Sequence, residues 1–260
     1  MIHDLRGAAI LVTRPEAQAE TLCQLIETHG GEAVRFPTLS IEAHQPAADQ
    51  LQQALDSDWL IFTSKNAVDF ALQAFDGKMP RSHGPAIAAV GGGTAECLRQ
   101  GGLKVDCVPA SEFNSEGLLA EALMHDVNGK RSVIVRGVGG REKLAETLRA
   151  RGAKVAYLEV YRRSRPTVDN HALLERLRQN QLTMTTITSE EALHNLLRML
   201  DDSANAILRT LPLVVVSDRT RQTAETLGFK TIAVSHQASD AAILETLKML
   251  LSGEYSGRSN

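Results

Sequence analysis

The feature that most constrains this chain is an internal repeat. Residues 8–41, AAILVTRPEAQAETLCQLIETHGGEAVRFPTLSI, and residues 131–163, RSVIVRGVGGREKLAETLRARGAKVAYLEVYRR, share one pattern. In each, an apolar strand (Ile10–Val12; Val133–Val135) runs into a turn bearing an Arg (Arg14; Arg136). A helix with apolar residues at helical spacing follows, then glycine, then a second strand. Gly31 aligns with Gly152 and Val34 with Val155. The likeness continues: IFTSKNAVDFAL (61–72) pairs with TITSEEALHNLL (186–197), setting Ser64 against Ser189, and further on Thr94 stands against Thr220. This period is far too long for a solenoid, so the repeat indicates a duplicated domain with a seam at Asn128-Gly129.

Strands alternating with helices at this spacing predict parallel sheets with right-handed crossovers, an α/β architecture. The continuous apolar runs AILV (9–12) and WLIF (59–62) suit strands buried on both faces. The pattern further predicts a loop over 42–50, a Gly/Pro-rich loop over 76–85, a short strand over 105–108 and a helix over 116–125. It also predicts a Pro-broken linker over 162–167, a helix over 190–200 and a frayed tail over 252–260.

Composition excludes several classes. The chain has 260 residues and 43% hydrophobic residues, enough for one large or two small cores. A net charge of −3 gives no reason to expect nucleic acid or an anionic membrane. Three cysteines without a CxxC pair argue against a disulfide framework and suit a reducing cytosol. No apolar run is long enough for a transmembrane helix, and the start lacks the layout of a signal peptide, so a cytoplasmic protein is expected.

In open parallel sheets, ligands bind beyond the carboxyl ends of the strands. Here those ends are Thr13-Arg14, Thr63-Ser64, Gly91–Thr94, Arg136–Arg141 (with Gly139), Thr188-Ser189 and Ser217–Thr220. Each opens a helix whose free N–H groups favour anions by about 0.3–1 kcal/mol. Taken singly, each turn also fits ordinary capping by Ser or Thr; as a set, they could hold a polyanion. Gly91–Gly93 and Gly137–Gly140 both fail the dinucleotide fingerprint, and neither is followed by Lys-Ser/Thr. The eight histidines show no metal-ligand spacing. Tyr161 ends the second strand of the repeat in a basic run, Tyr161-Arg162-Arg163-Ser164-Arg165, which reads equally as a solvated linker or as a phenol near guanidinium groups.

LVTRP, IFTSKNAV, AVGGGTAECL, TSEEALHNLL and above all RGVGGREKLAETLRARGAKVAYLEVYRR resemble the uroporphyrinogen-III synthase family over nearly the whole chain. The resemblance implies two Rossmann-like or flavodoxin-like α/β domains with parallel sheets, joined by a two-stranded linker with the active site in the cleft. One domain would be 1–37 plus 166–260 and the other 40–162, with linker strands near 36–41 and 158–165. The repeat would then not coincide with the spatial domains.

The implied reaction is cofactor-free and metal-free. Hydroxymethylbilane, a linear tetrapyrrole polycarboxylate, would lose water and close with ring D inverted through a spirocyclic pyrrolenine. Tyr161 matches the family's cleft tyrosine, the candidate for assisting departure of the hydroxyl. Thr94 and Thr220 match its cleft threonines. Thr63-Ser64 and Thr188-Ser189 match turns whose N–H groups hold carboxylates, while Arg14, Arg136 and Gly139 are assigned to substrate attraction and binding. One departure stands out: Ser217-Asp218-Arg219 replaces a frequent Gly-Pro, and Asp218 would repel a carboxylate unless Arg219 or Arg221 offsets it. The resemblance further implies a monomer, with no nucleic-acid or membrane partner, that receives substrate by transient hand-over from the bilane-producing enzyme. The main rival reading is a non-enzymatic two-domain binder of a small polyanion. A nucleotide-using transferase is disfavoured by the failed glycine motifs.

Overall fold

A computed structural model gives the fold and describes residues 4–77, 79 and 84–255. Its strands are β1 (Ala9–Val12), β2 (Glu32–Arg35), β3 (Ser40–Ala43), β4 (Trp59–Phe62), β5 (Ala86–Ala89), β6 (Arg131–Gly137), β7 (Lys154–Ser164), β8 (Met184–Ile187), β9 (Leu213–Val215) and β10 (Ile232–Val234). They form two five-stranded sheets, in the orders β10-β9-β8-β1-β2 and β3-β7-β6-β4-β5. The chain divides into two compact units, Met1–Ser40 with Ser164–Asn260, and Ile41–Arg163. The division does not fall at Asn128-Gly129, because β1 pairs in parallel with β8, placing Ile10 beside Met184.

Strand alternation builds two cores in each unit. In β1, Ala9 and Leu11 face one way, onto Leu193, Leu196 and Leu208. Ile10 and Val12 face the other, onto Leu22, Ile26, Ile243 and Leu247. In β4, Leu60 and Phe62 meet Val68, Ala71 and Leu98, whereas Trp59 and Ile61 meet Leu118, Leu144 and Leu148. A period of two sends successive side chains to opposite faces, so a continuous apolar run serves two layers of helices. Each fully buried Leu or Ile contributes about 1.5–3 kcal/mol.

Both units are doubly wound. The helix from β1 to β2, Glu16–Thr28, lies on one face of its sheet, and the helix from β8 to β9, Glu190–Met199, lies on the other. Likewise Lys65–Phe75, between β4 and β5, and Lys143–Ala150, between β6 and β7, take opposite faces. Strand order therefore reverses between β1 and β8 in one unit and between β4 and β6 in the other. At β3 the sheet gains an antiparallel edge. His44 N donates to Val160 O at 2.9 Å while Glu42 pairs with Arg162, so residue numbers rise on one strand as they fall on the other.

Several local expectations are corrected. Residues 105–108 form no strand and contribute one bridge, Cys107 to Ala88. The helix over 116–125 is instead Ser115–Ala120 followed by a single turn at Ala122–Met124, since Glu121 is extended (ψ 139°). Arg162–Ser164 continue β7, so the segment expected to be Pro-broken over 162–167 is strand in its first three residues, and Ser40–Ala43 cut into the loop expected over 42–50. The helix after β8 stops at Met199, and a second helix, Asp202–Leu208, starts on the Asp201 cap. The loop expected over 76–85 and the tail over 252–260 lie partly outside the described residues; of the tail, Ser252 ends the last helix, Asp240–Ser252.

The repeat alignment also shifts by one residue. Gly30 (φ 76°) and Gly152 (φ 85°) both follow a helix C-cap in the left-handed region. Gly31 N donates to Ile26 O, as Ala153 N donates to Leu148 O, each at 3.0 Å. Gly30, not Gly31, is therefore the counterpart of Gly152. The pair Gly30-Gly31 left the choice open in the sequence, and the backbone hydrogen bonds of the helix end decide it.

Candidate active site

Four strand-end turns share one backbone geometry. The N-cap residues Ser64, Gly91, Ser189 and Ser217 have φ between −157° and −163° and ψ between 152° and 165°. Each serine accepts from the backbone N–H three residues on: Ser64 from Ala67, Ser189 from Ala192, Ser217 from Thr220. Gly91 has no side chain with which to do so. Thr94 and Thr220 occupy the same position, three residues after the cap, and both are buried.

At the switch point of the Ile41–Arg163 unit lies a cavity of about 410 Å³, bounded in part by Thr63, Ser64, Arg136, Gly137–Arg141, Tyr161 and Arg163. It gathers five of the residues singled out above: Thr63, Ser64, Arg136, Gly139 and Tyr161. Asn114, whose side chain caps the Ser115–Ala120 helix, and Ser115 also border it. Thr94 lies at the neighbouring strand end and does not line the cavity. Arg14, Thr188, Ser189 and Thr220 belong to the other unit.

Tyr161 is only 4% exposed. Its ring stacks on Phe70 with centroids 5.8 Å apart, and the Arg163 guanidinium lies 5.9 Å from its centroid. The hydroxyl reaches Ser64 Oγ at 3.2 Å. Two irregularities place it there. The β6–β7 register slips between Arg136 and Gly137, so that Gly137 stands opposite Tyr161. A Cβ on Gly137 would lie 2.6 Å from two ring carbons of Tyr161. Only glycine lets the ring lie against this backbone.

The arginines expected to attract substrate are already engaged. Arg14 pairs with Asp240, at the start of the Asp240–Ser252 helix. Arg136 donates to Glu142 at 2.8 Å, to Glu159 at 3.2 Å and to Gly140 O at 3.2 Å. Its guanidinium carbon lies 3.7 Å over the Tyr157 ring. Burial works against its charge, and the hydrogen bond to and charge of Glu142, with the hydrogen bond to Glu159, override burial, so its pKa lies above the ordinary guanidinium value. Tyr157 donates its hydroxyl to the other oxygen of Glu142. That bond first, and Arg136 second, hold the Glu142 carboxyl below the usual range. Arg136 therefore clamps the Gly137–Arg141 turn to its sheet. Glu142, six residues on in the same motif, was the visible signal of this pairing.

The other unit has a cavity of about 400 Å³ at the ends of β9 and β10, bounded in part by Ser217, Asp218, Arg221, Lys230, His236 and Tyr255. It lies beside the sheet edge, away from the β1/β8 switch point. Arg221 offsets Asp218 at 3.3 Å, and Arg219 is taken by Glu190 at 2.7 Å. Among the described residues no cluster of His, Cys, Asp and Glu could hold a metal ion, and no helix is long and apolar enough to cross a membrane.

Fold and site thus define a doubly wound α/β protein with a buried phenol beside helix-opening turns at a switch point. A family model described as uroporphyrinogen-III synthase HemD matches residues 20–245. The uroporphyrinogen-III synthase of Escherichia coli (strain K12) is 35% identical over 247 residues, 92% of this chain and 100% of that one. The chain belongs to the uroporphyrinogen-III synthase family. Solved structures agree on the fold. A mutant uroporphyrinogen III synthase from the extremely thermophilic bacterium Thermus thermophilus superposes with a TM-score of 0.63 at 18% identity, covering 95% of this chain and 100% of that one. The Helicobacter pylori 26695 enzyme gives 0.61 at 16% identity, covering 94% and 99%.

Proposed function

We propose that this chain closes hydroxymethylbilane to uroporphyrinogen III, with loss of water and inversion of ring D. The observation that carries the reading is the Tyr161–Ser64 hydroxyl pair, 3.2 Å apart at a switch-point cavity, in a chain of this family. The terminal pyrrole nitrogen pushes its electron pair toward the hydroxymethyl carbon as the C–O bond breaks. Tyr161 donates a proton to the departing oxygen, and water leaves. The electrophilic carbon is then attacked by the substituted carbon of ring D, giving the spirocyclic pyrrolenine, which fragments and recloses with ring D turned over.

Thr63, Ser64 and Gly139 meet substrate carboxylates in this cavity, and Thr94, Thr188, Ser189 and Thr220 present the matching turns elsewhere. Arg14 and Arg136 act by orienting these turns, since their charges are already paired. General-acid help of about 10²–10⁴-fold suffices where the leaving group departs with little assistance, and positioning supplies the rest. The same reading makes the protein a cytoplasmic monomer that takes its substrate by transient hand-over from the bilane-producing enzyme. Neither metal nor organic cofactor takes part.

The test is the isomer ratio. Hydroxymethylbilane is generated in situ, the purified protein is added without metal or nucleotide, and the oxidised porphyrins are separated. Dominant type III product is expected. Type I product at the buffer rate would remove the activity and leave the polyanion-binding reading.

A further inference from the structure

One pair of side chains near the cavity has no role in the scheme above. Phe113 is 65% exposed, unusual for a large aromatic outside any core. Its loop is firmly built. Glu112 takes a left-handed conformation (φ 42°), Gly117 N donates to Asn114 Oδ1 at 2.8 Å, and Ala110 N donates to Glu121 Oε1 at 2.9 Å. A Cβ on Gly117 would lie 2.1 Å from Glu112 O, so a side chain there would break the loop.

The loop lays Phe113 on glycine backbone. The point where a Gly91 Cβ would stand is 3.4 Å from Phe113 Cβ, and the Gly92 equivalent is 3.6 Å from its ring. From another element, Lys65 reaches the next glycine, its Cε 2.9 Å and Nζ 3.6 Å from where a Gly93 Cβ would be. Lys65 forms no salt bridge among the described residues, in contrast to Arg14 and Arg136. Nearby acids are Glu112, beside Phe113 in sequence, and Asp69, which accepts from Cys97. Lys65 directly follows Ser64, and Asn114 and Ser115, directly after Phe113, border the cavity. An exposed aromatic face and an exposed ammonium thus flank adjacent bare glycines beside the Tyr161 cavity.

We propose that Phe113 and Lys65 seat one pyrrole of the substrate, its ring on the Phe113 face and its carboxylate arm on the Lys65 ammonium. This rests on the proposed cyclisation. A pyrrole offers a π-face to Phe113 and an anionic side chain to Lys65, two features held by one group of a tetrapyrrole polycarboxylate. A small inorganic anion would use only Lys65.

The test uses the full chain with hydroxymethylbilane made in situ. Phe113→Ala and Lys65→Met are each expected to raise KM about tenfold with kcat within about twofold and type III product retained, the scale of one lost charged or aromatic contact. Phe113→Tyr restores KM. The double variant falls short of the product of the two effects, because both side chains hold the same ring. Leu123→Ala, another exposed apolar residue, serves as control and leaves KM unchanged. Unchanged KM in both single variants, or a fall in kcat alone, overturns the seat. A wild-type protein giving only type I product would overturn the parent reading instead, and the two failures are distinct.

Discussion

Tyr161 Oη and Ser64 Oγ lie 3.2 Å apart, bringing the end of β7 to the turn after β4 across the intervening β6. Ser64 also caps the Lys65–Phe75 helix through Ala67 N. One hydroxyl thus serves both the helix and the phenol. Tyr161→Phe is expected to lower kcat by up to about a hundredfold without abolishing turnover, the low end of general-acid contributions. Equal kcat would remove the proton-donor role. Ser64→Ala should in addition destabilise by about 1 kcal/mol through the lost cap, read as a lower Tm that Tyr161→Phe does not share.

Gly137→Ala tests the space for Tyr161. The new methyl would stand 2.6 Å from two ring carbons, so the ring must move. A stability loss of about 1–3 kcal/mol is expected, with a fall in kcat comparable to Tyr161→Phe. Full activity would show that the ring's position against Gly137 is immaterial.

The Arg136 clamp should be sensitive to acid. Glu142 has a depressed pKa in the folded chain, through Tyr157 and then Arg136. Its contribution is therefore complete above the ordinary carboxylate pKa of about 4.3 and lost as pH falls through the folded value. The protection factor of the Val138 amide, which donates to Tyr161 O at 2.9 Å, taken relative to the intrinsic exchange rate at each pH, should fall at acid pH, and Glu142→Gln should show the reduced protection already at pH 7. Protection independent of pH and of Glu142 would mean that the turn does not need the clamp.

The cysteines offer a reactivity test. Burial, then the hydrogen bond to Asp69, pushes the Cys97 thiol up to about 11. Cys107 is likewise pushed to about 11, by burial and then the charge of Glu121. Alkylation of the native protein at pH 8 should be slow despite the partial exposure of Cys97, and should rise toward pH 11 with Cys97 first. Rapid labelling of Cys97 at pH 8 would contradict its burial and its bond to Asp69.

Much of this fold was legible because apolar runs and helix-opening serines recur at nearly fixed separations. Ser64 with Ser189, and Thr94 with Thr220, occupy equivalent cap geometries as the repeat required. What failed was local: Gly30-Gly31 could not be ordered without hydrogen bonds, and Arg162–Ser164 read as part of a Pro-broken segment because an edge of β7 carries charge into solvent. The pairing of Arg14 was invisible because Asp240 lies 226 residues away. Phe113 carried no signal, since only its exposure sets it apart.

β1 is an interior strand of its sheet, between β2 and β8, yet these neighbours are encoded far apart. During synthesis the apolar AILV segment leaves the ribosome long before Met184–Ile187 exist to cover its other edge. The Ile41–Arg163 unit, contiguous in sequence, can fold in the interval. The N-terminal strand must then wait with an open edge, which makes it the segment most in need of chaperone protection in this protein. A truncated chain ending at residue 163, free of the ribosome, should show a protease-resistant middle and a protease-sensitive, chaperone-bound beginning. The full chain should protect both together.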